Sequence, residues 1–287
     1  MATPLAINTN SGSLTAQRNL GKSHGAMQKS IARLSSGIRV SSAADNAAGM
    51  AISENMRAQQ GGFRQAMKNA NDGVSVLQTA ESGYQSVSDL LVRMRELAVQ
   101  AANDSVSDTE RGYLDTEYQD LISEMDRISA VTEYNGISLL DGTAGSLSAT
   151  TGTMTFQVGT RNSADDRITV TLTTQSGSSL GVGGGAAADS VSSLSQAQGA
   201  ITKIDTALES LSTDRATLGS TINNLQSAVD NLSSTIENYG NAMSQIRDTD
   251  MAEESASFSK SQVLQQAGVA MLSQANAQPN LVLRLLG

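Results

Sequence analysis

Residues 201–246 read ITKIDTALESLSTDRATLGSTINNLQSAVDNLSSTIENYGNAMSQI. Ile201, Ile204, Leu208, Leu211, Arg215, Leu218, Ile222, Leu225, Val229, Leu232, Ile236, Tyr239, Met243 and Ile246 follow one another in alternating steps of three and four. Only Arg215 breaks the apolar identity, and no proline interrupts the run. Apolar residues recurring at this period form a heptad seam, and the run predicts one helix about 70 Å long at 1.5 Å rise per residue. A rod of that length needs partners of similar length to cover its stripe.

The first half supplies them. Val87, Leu90, Met94, Leu97 and Ala101 share the spacing, as do Leu114, Tyr118, Leu121, Met125 and Ile128. Upstream, Leu20, Met27, Ile31, Leu34 and Ile38 make another stripe, with His24 in the remaining slot. Helices from both ends of the chain therefore require each other. The fold expected is mainly α: a long antiparallel helical bundle or coiled coil with its terminal helices paired and both termini at one end.

The middle differs in composition. Residues 135–188 are rich in Gly, Ser and Thr, and contain YNGISLLDGT, GTMTFQVGT and DRITVTLTT. Asn135-Gly136 and Asp141-Gly142 are turn signals between β-branched stretches. A β-hairpin region is expected over 135–175, followed by a flexible linker over 176–189.

Composition agrees. Aromatic residues make up 3% of the 287, tryptophan is absent and there are two prolines. A core of Leu, Ile, Val, Met and Ala suits helices, which proline would interrupt. Net charge is −9, with eight Lys/Arg against two acids in residues 1–70 and fourteen acids against four arginines in residues 71–150. The acidic total argues against nucleic acid as a partner. No stretch approaches the ~18 apolar residues of a membrane span. The opening MATPLAINTNSG has no basic region followed by an apolar run, so no cleaved signal peptide is expected.

Catalytic chemistry finds no foothold. With no cysteine and a single histidine, His24, the usual zinc sites and a cysteine nucleophile are excluded, and any Ser-His-Asp triad would have to use His24. GVGGG at 181–185 lacks the lysine of a phosphate loop. The acid pairs Asp165-Asp166 and Glu253-Glu254 read as solvated surface. No catalytic residue, metal site or cofactor is expected.

The two ends carry apolar faces wider than one helix pair requires. Met251, Phe258, Val263, Leu264, Ala267, Met271 and Leu272 cluster before Pro279, which reads as the end of that helix. Beyond it Leu281, Val282, Leu283, Leu285 and Leu286 need a partner to bury them. Internal glycines Gly21, Gly25 and Gly268 weaken these helices by about 1 kcal/mol each relative to alanine. Apolar but weak helices of this kind are expected to fold on assembly.

Six blocks then fall in a familiar order: LAINTNSGSLTAQRNLGKS (5–23), SIARLSSGIRVSSAADNAAGMAISENMRAQ (30–59), NANDGVSVLQTAESG (69–83), VRMRELAVQAAND (92–104), EYNGISLLDG (133–142) and QIRDTDMAEESASFSKSQVLQQAGVAMLSQANAQPNLVLRLL (245–286). Together they resemble bacterial flagellin, over roughly residues 1–142 and 190–287. The centre is short for that family, so large outer domains are missing. The resemblance implies a structural subunit, not an enzyme, that self-assembles into the flagellar filament outside the cell. Residues 1–42 and 248–287 would pair as the filament's inner core, and 43–247 would form the rod. Leu20, Met27, Ile31, Leu34, Leu264, Met271, Leu272, Leu281, Leu283, Leu285 and Leu286 are the expected polymerisation core. Implied partners are other copies of the chain, the filament cap protein, the hook–filament junction proteins and an export chaperone at the C-terminal helix, with type III export replacing a cleaved signal. The segment RMRELAVQ (93–100) also resembles the stretch through which many flagellins meet a host innate immune receptor, implying Arg93 and Leu97, with Glu117 as acidic partner. Alternatives weighed against this are a hook–filament junction protein and a secreted coiled-coil binding module.

Overall fold

The structure is a computed structural model that describes residues 10–143, 152–183 and 190–286, with side chains through residue 277. Five helices stand among the described residues: α1 (Ser11–Ser36), α2 (Ala47–Ala101), α3 (Asp108–Val131), α4 (Leu194–Arg247) and α5 (Met251–Leu286). Four strands lie between α3 and α4: β1 (Glu133–Tyr134), β2 (Ile137–Ser138), β3 (Thr153–Gln157) and β4 (Arg167–Thr171). The chain divides into two compact units, residues 59–238 and residues 1–58 with 239–287.

In the unit of residues 59–238, the heptad seam is one unbroken helix. Ile204, Leu211, Leu218, Leu225 and Leu232, seven apart, are buried, and Ile201, Leu208, Ile222 and Val229 beside them are half-buried. α2 answers with two buried stripes, Ala66, Gly73, Ala80, Val87, Met94 and Ala101, and Ala70, Leu77, Tyr84, Leu91 and Ala98. Of the expected stripe, Val87, Met94, Leu97 and Ala101 are buried and Leu90 is half-buried, and the buried face widens to include Leu91. The wider face follows from α2 meeting two partners. It runs antiparallel to α4, as shown by Gln60 Nε2 donating to the Ile236 carbonyl, Glu81 pairing with Arg215 and Arg95 with Asp205. It runs antiparallel to α3 through Arg93 and Glu117.

The α2–α3 turn is held by charge. Arg111 is 6% exposed, and its Nε donates to the Ala101 carbonyl at 2.8 Å and its Nη2 to the Asn103 carbonyl at 3.0 Å, satisfying acceptors that the end of α2 leaves open. α3 opens with a capping box, in which Ser107 and Glu110 each bond the other's backbone N–H.

The turn signal at Asn135-Gly136 is a two-residue hairpin. Both residues have positive φ, 52° and 76°, and β1 pairs with β2 antiparallel across them, as a type I′ turn requires. β3 and β4 pair antiparallel over five residues each. Glycines on α2 make room for what packs there: a Cβ on Gly73 would stand 3.0–3.2 Å from the Phe156 ring, one on Gly62 would meet Thr160, and one on Gly83 would meet Leu140 and Thr132. The region expected as a flexible linker differs as far as Gly183. Its Gly177 N–H donates to the Asp126 carboxylate at 2.8 Å, and Val182 is fully buried. Gly177 and Gly183 both lie against Ile122 too closely for a side chain, which explains why glycine suits a docked turn here. Residues 184–189 lie outside the described residues.

In the other unit α1 and α5 pair antiparallel. Asn10 reaches Ala275, His24 reaches Gln265 and Arg33 reaches Glu254, so the register is constant along the pair. Both ends are helical here, each supplying the other's partner. α1 ends on Gly37, whose φ of 71° lets its N–H reach the Arg33 carbonyl. A bridge between Ile38 and Asp248 follows, and Arg39 donates to the Gln245 and Ile246 carbonyls at the end of α4. Pro279 does not end α5, which continues to Leu286.

Candidate functional site

The α1–α5 pair leaves much of its large apolar surface open. Its contact face mixes sizes: Ser30 and Ser261 are buried, Leu20, Met27, Leu34, Phe258 and Leu272 are half-buried, and Gly268 admits Leu20 at 3.2 Å from where a Cβ would stand. Other large apolar side chains point away. Leu14, Ile31, Met251, Val263, Leu264, Val269 and Met271 are between 47% and 64% exposed. At 100° per residue, Leu264 and Met271 lie on one flank of α5, Met251 and Val269 on the other, and Val263 on the back. Apolar surface on several sides of a helix pair marks contacts with more than one neighbour.

The expected core residues divide accordingly. Leu20, Met27, Leu34 and Leu272 are half-buried, while Ile31, Leu264 and Met271 are exposed. Leu281, Leu283, Leu285 and Leu286 belong to the helical backbone of α5, and their side chains lie outside the described residues. Leu14, Met251, Val263 and Val269 join the exposed set; of these the wide apolar face read from the sequence had included Met251 and Val263, and no heptad position singles out Leu14 or Val269.

A second surface lies on α2 and α3. Arg93 Nε and Nη2 stand 3.0 and 2.6 Å from Glu117 Oε1, and Arg93 Nη1 stands 3.0 Å from Glu96. Donating to Glu117, then to Glu96, pushes the Arg93 guanidinium up from its ordinary value. Both partners are about half exposed, whereas Leu97 is 1% exposed and sits in the seam below them. Next to this pair, Val92, Arg95, Glu96, Val99 and Gln100 line an open groove of about 510 Å³. The exposure of Val92 and Val99 interrupts no pattern a sequence displays, because both fall on the polar side of the heptad.

His24 is an exposed surface residue sharing hydrogen bonds with Gln28 and Gln265. Among the described residues, no group of three His, Cys, Asp or Glu side chains is placed to hold a metal, and no helix is long and apolar enough to cross a membrane.

Two long helical ends with open apolar surface, joined in sequence by further long helices, fit a structural subunit whose business is contact with other chains. Residues 7–145 match the family model for the bacterial flagellin N-terminal helical region, and residues 201–286 that for the bacterial flagellin C-terminal helical region. The chain is 40% identical over 284 residues to the flagellar filament 30.7 kDa core protein of Treponema maltophilum, covering 98% of this chain and 100% of that one. It is 40% identical over 282 residues to a flagellin of Halalkalibacterium halodurans, with 98% and 100% covered. A crystal structure of Bacillus cereus flagellin is similar at a TM-score of 0.48 and 33% identity, over 57% of this chain and 88% of that one. The chain belongs to the bacterial flagellin family. It is a structural subunit that self-assembles into the flagellar filament, an extracellular structure, and not an enzyme.

Proposed function

We propose that the outward apolar residues of the α1–α5 pair are the polymerisation contacts, and that residues 1–42 with 248–287 make the filament's inner core. The outward set Leu14, Ile31, Met251, Val263, Leu264, Val269 and Met271, left open on several sides of the pair, is the observation that carries this reading. Burial between copies stabilises at about 25 cal/mol per Å² of apolar surface. We add the leucines at 281, 283, 285 and 286 to these contacts on their apolar identity in the sequence. Residues 43–247 then serve as the rod outside that core.

Partners follow from the same face. A helix with this much open apolar surface needs cover before assembly, which supports an export chaperone on α5. The cap protein and the hook–filament junction proteins would meet the face at the two ends of a filament, and type III export would deliver the chain without a cleaved signal. The Arg93–Glu117 pair supports the innate receptor reading: two exposed charged groups are held together by a two-point hydrogen bond, on the helix whose Leu97 is buried in the seam.

Seeded polymerisation followed by electron microscopy tests the assembly face. Leu264→Asp and Met271→Asp, at sites 48% and 63% exposed, leave the single chain folded and prevent filaments. Normal filaments from both would overturn the proposal.

A further inference from the structure

Pro279 lies inside α5 and has no amide hydrogen. In a regular helix the N–H of residue 279 would donate to the carbonyl of Ala275. That carbonyl is not left open: Asn10 Nδ2 donates to it at 2.8 Å. The same Asn10 side chain accepts from the Ser13 N–H at 3.0 Å, capping α1. One turn into α1, the Ser13 hydroxyl donates to Asn276 Oδ1 at 2.7 Å.

We propose that Asn10 is the register-setting residue of the α1–α5 pair, and that Pro279 marks the position it reads. In a regular helix every other carbonyl with an N–H four residues on already accepts one bond. Proline frees one carbonyl at one place, so a slip of α1 along α5 leaves Ala275 unbonded and offers Asn10 only carbonyls that already have a donor. Buried or half-buried carbonyls without donors are costly, and Ala275 is half-buried. The amide does both jobs because it has an acceptor and a donor. Register matters here because apolar residues lie on both flanks of α5, and a slipped pair would present flanks that no longer match between copies.

The two jobs separate chemically. Asn10→Asp keeps the acceptor that caps α1 and loses the donor. Asn10→Ala loses both, and Pro279→Ala returns an N–H to the Ala275 carbonyl. Amide exchange on seeded filaments of each variant reads the outcome in the assembled pair, as protection per residue rather than as the amount of filament formed. With Pro279 present, Asn10→Asp lowers protection across residues 270–278 and 11–16 by about 5-fold, and Asn10→Ala lowers it further. In the Pro279→Ala background, Asn10→Asp matches its parent and Asn10→Ala still loses the cap. An equal loss from Asn10→Asp in both backgrounds, no loss in either, or no protection of these segments in filaments of the parent chain would overturn the assignment.

Discussion

Arg215 on α4 stands opposite Glu81 on α2, its Nη2 and Nε 2.7 and 2.9 Å from the same carboxylate oxygen. The one charged residue in the heptad seam is thus matched by a charge on the facing helix, each about one-third exposed. Arg215→Ala leaves Glu81, whose Oε2 is buried and already without a hydrogen bond, facing the core. A loss of about 1–3 kcal/mol in chemical denaturation is expected. Replacing both with leucine is expected to be neutral or stabilising. A neutral Arg215→Ala would mean the pair contributes nothing.

Gly73 gives a prediction that changes sign. Alanine is the better helix former by about 1 kcal/mol, but its Cβ would press on the Phe156 ring, at a cost of about 1–3 kcal/mol. Gly73→Ala therefore destabilises the parent chain and stabilises Phe156→Ala. Thermal melts of the four proteins measure this, and the same sign in both backgrounds would contradict the packing described.

The seam, the hairpin turn and the pairing of the ends were legible because each is written in local spacing. Seven-residue repeats locate α2 and α4, and Asn135-Gly136 names its own turn type. Arg93 and Glu117 were legible as a pair through resemblance, and the structure joins them. Burial of Leu97 was open, because a stripe does not say which of its members lies deepest. The Asn10–Ala275 bond joins residues 265 positions apart and leaves no periodic trace. Pro279 read as a helix end because its missing donor is visible in sequence, whereas the side chain that replaces it is not. Gly62, Gly73 and Gly83 carry no sequence signal of the groups packed on them, which come from distant parts of the chain.

Acid should loosen the start of α3. The Ser107 backbone N–H, then its hydroxyl, hold the Glu110 carboxyl below its ordinary value of 4.5. A depressed folded value means the contribution is complete above about pH 4.5 and is lost as pH falls through the folded value. Glu110 followed by NMR titration should give a midpoint below that of a free glutamate, and Ser107→Ala should raise it. A midpoint at the ordinary value in the parent chain would remove the capping box from the account.

Deleting residues 280–287 removes the leucines beyond Pro279 and leaves the unit of residues 59–238 untouched. Filaments are expected to disappear while the helical signal of the rod and its cooperative melt remain. Normal polymerisation of the truncated chain would show that the tail makes no assembly contact.

The assembly face can be read most directly with a single thiol. The chain has no cysteine, so Val269→Cys, at a site 55% exposed, carries the only one. Its rate of reaction with a water-soluble maleimide is measured in the unassembled chain and again in filaments seeded to completion. The account predicts rapid labelling before assembly and strong protection afterwards. Equal labelling rates in the two states would contradict it.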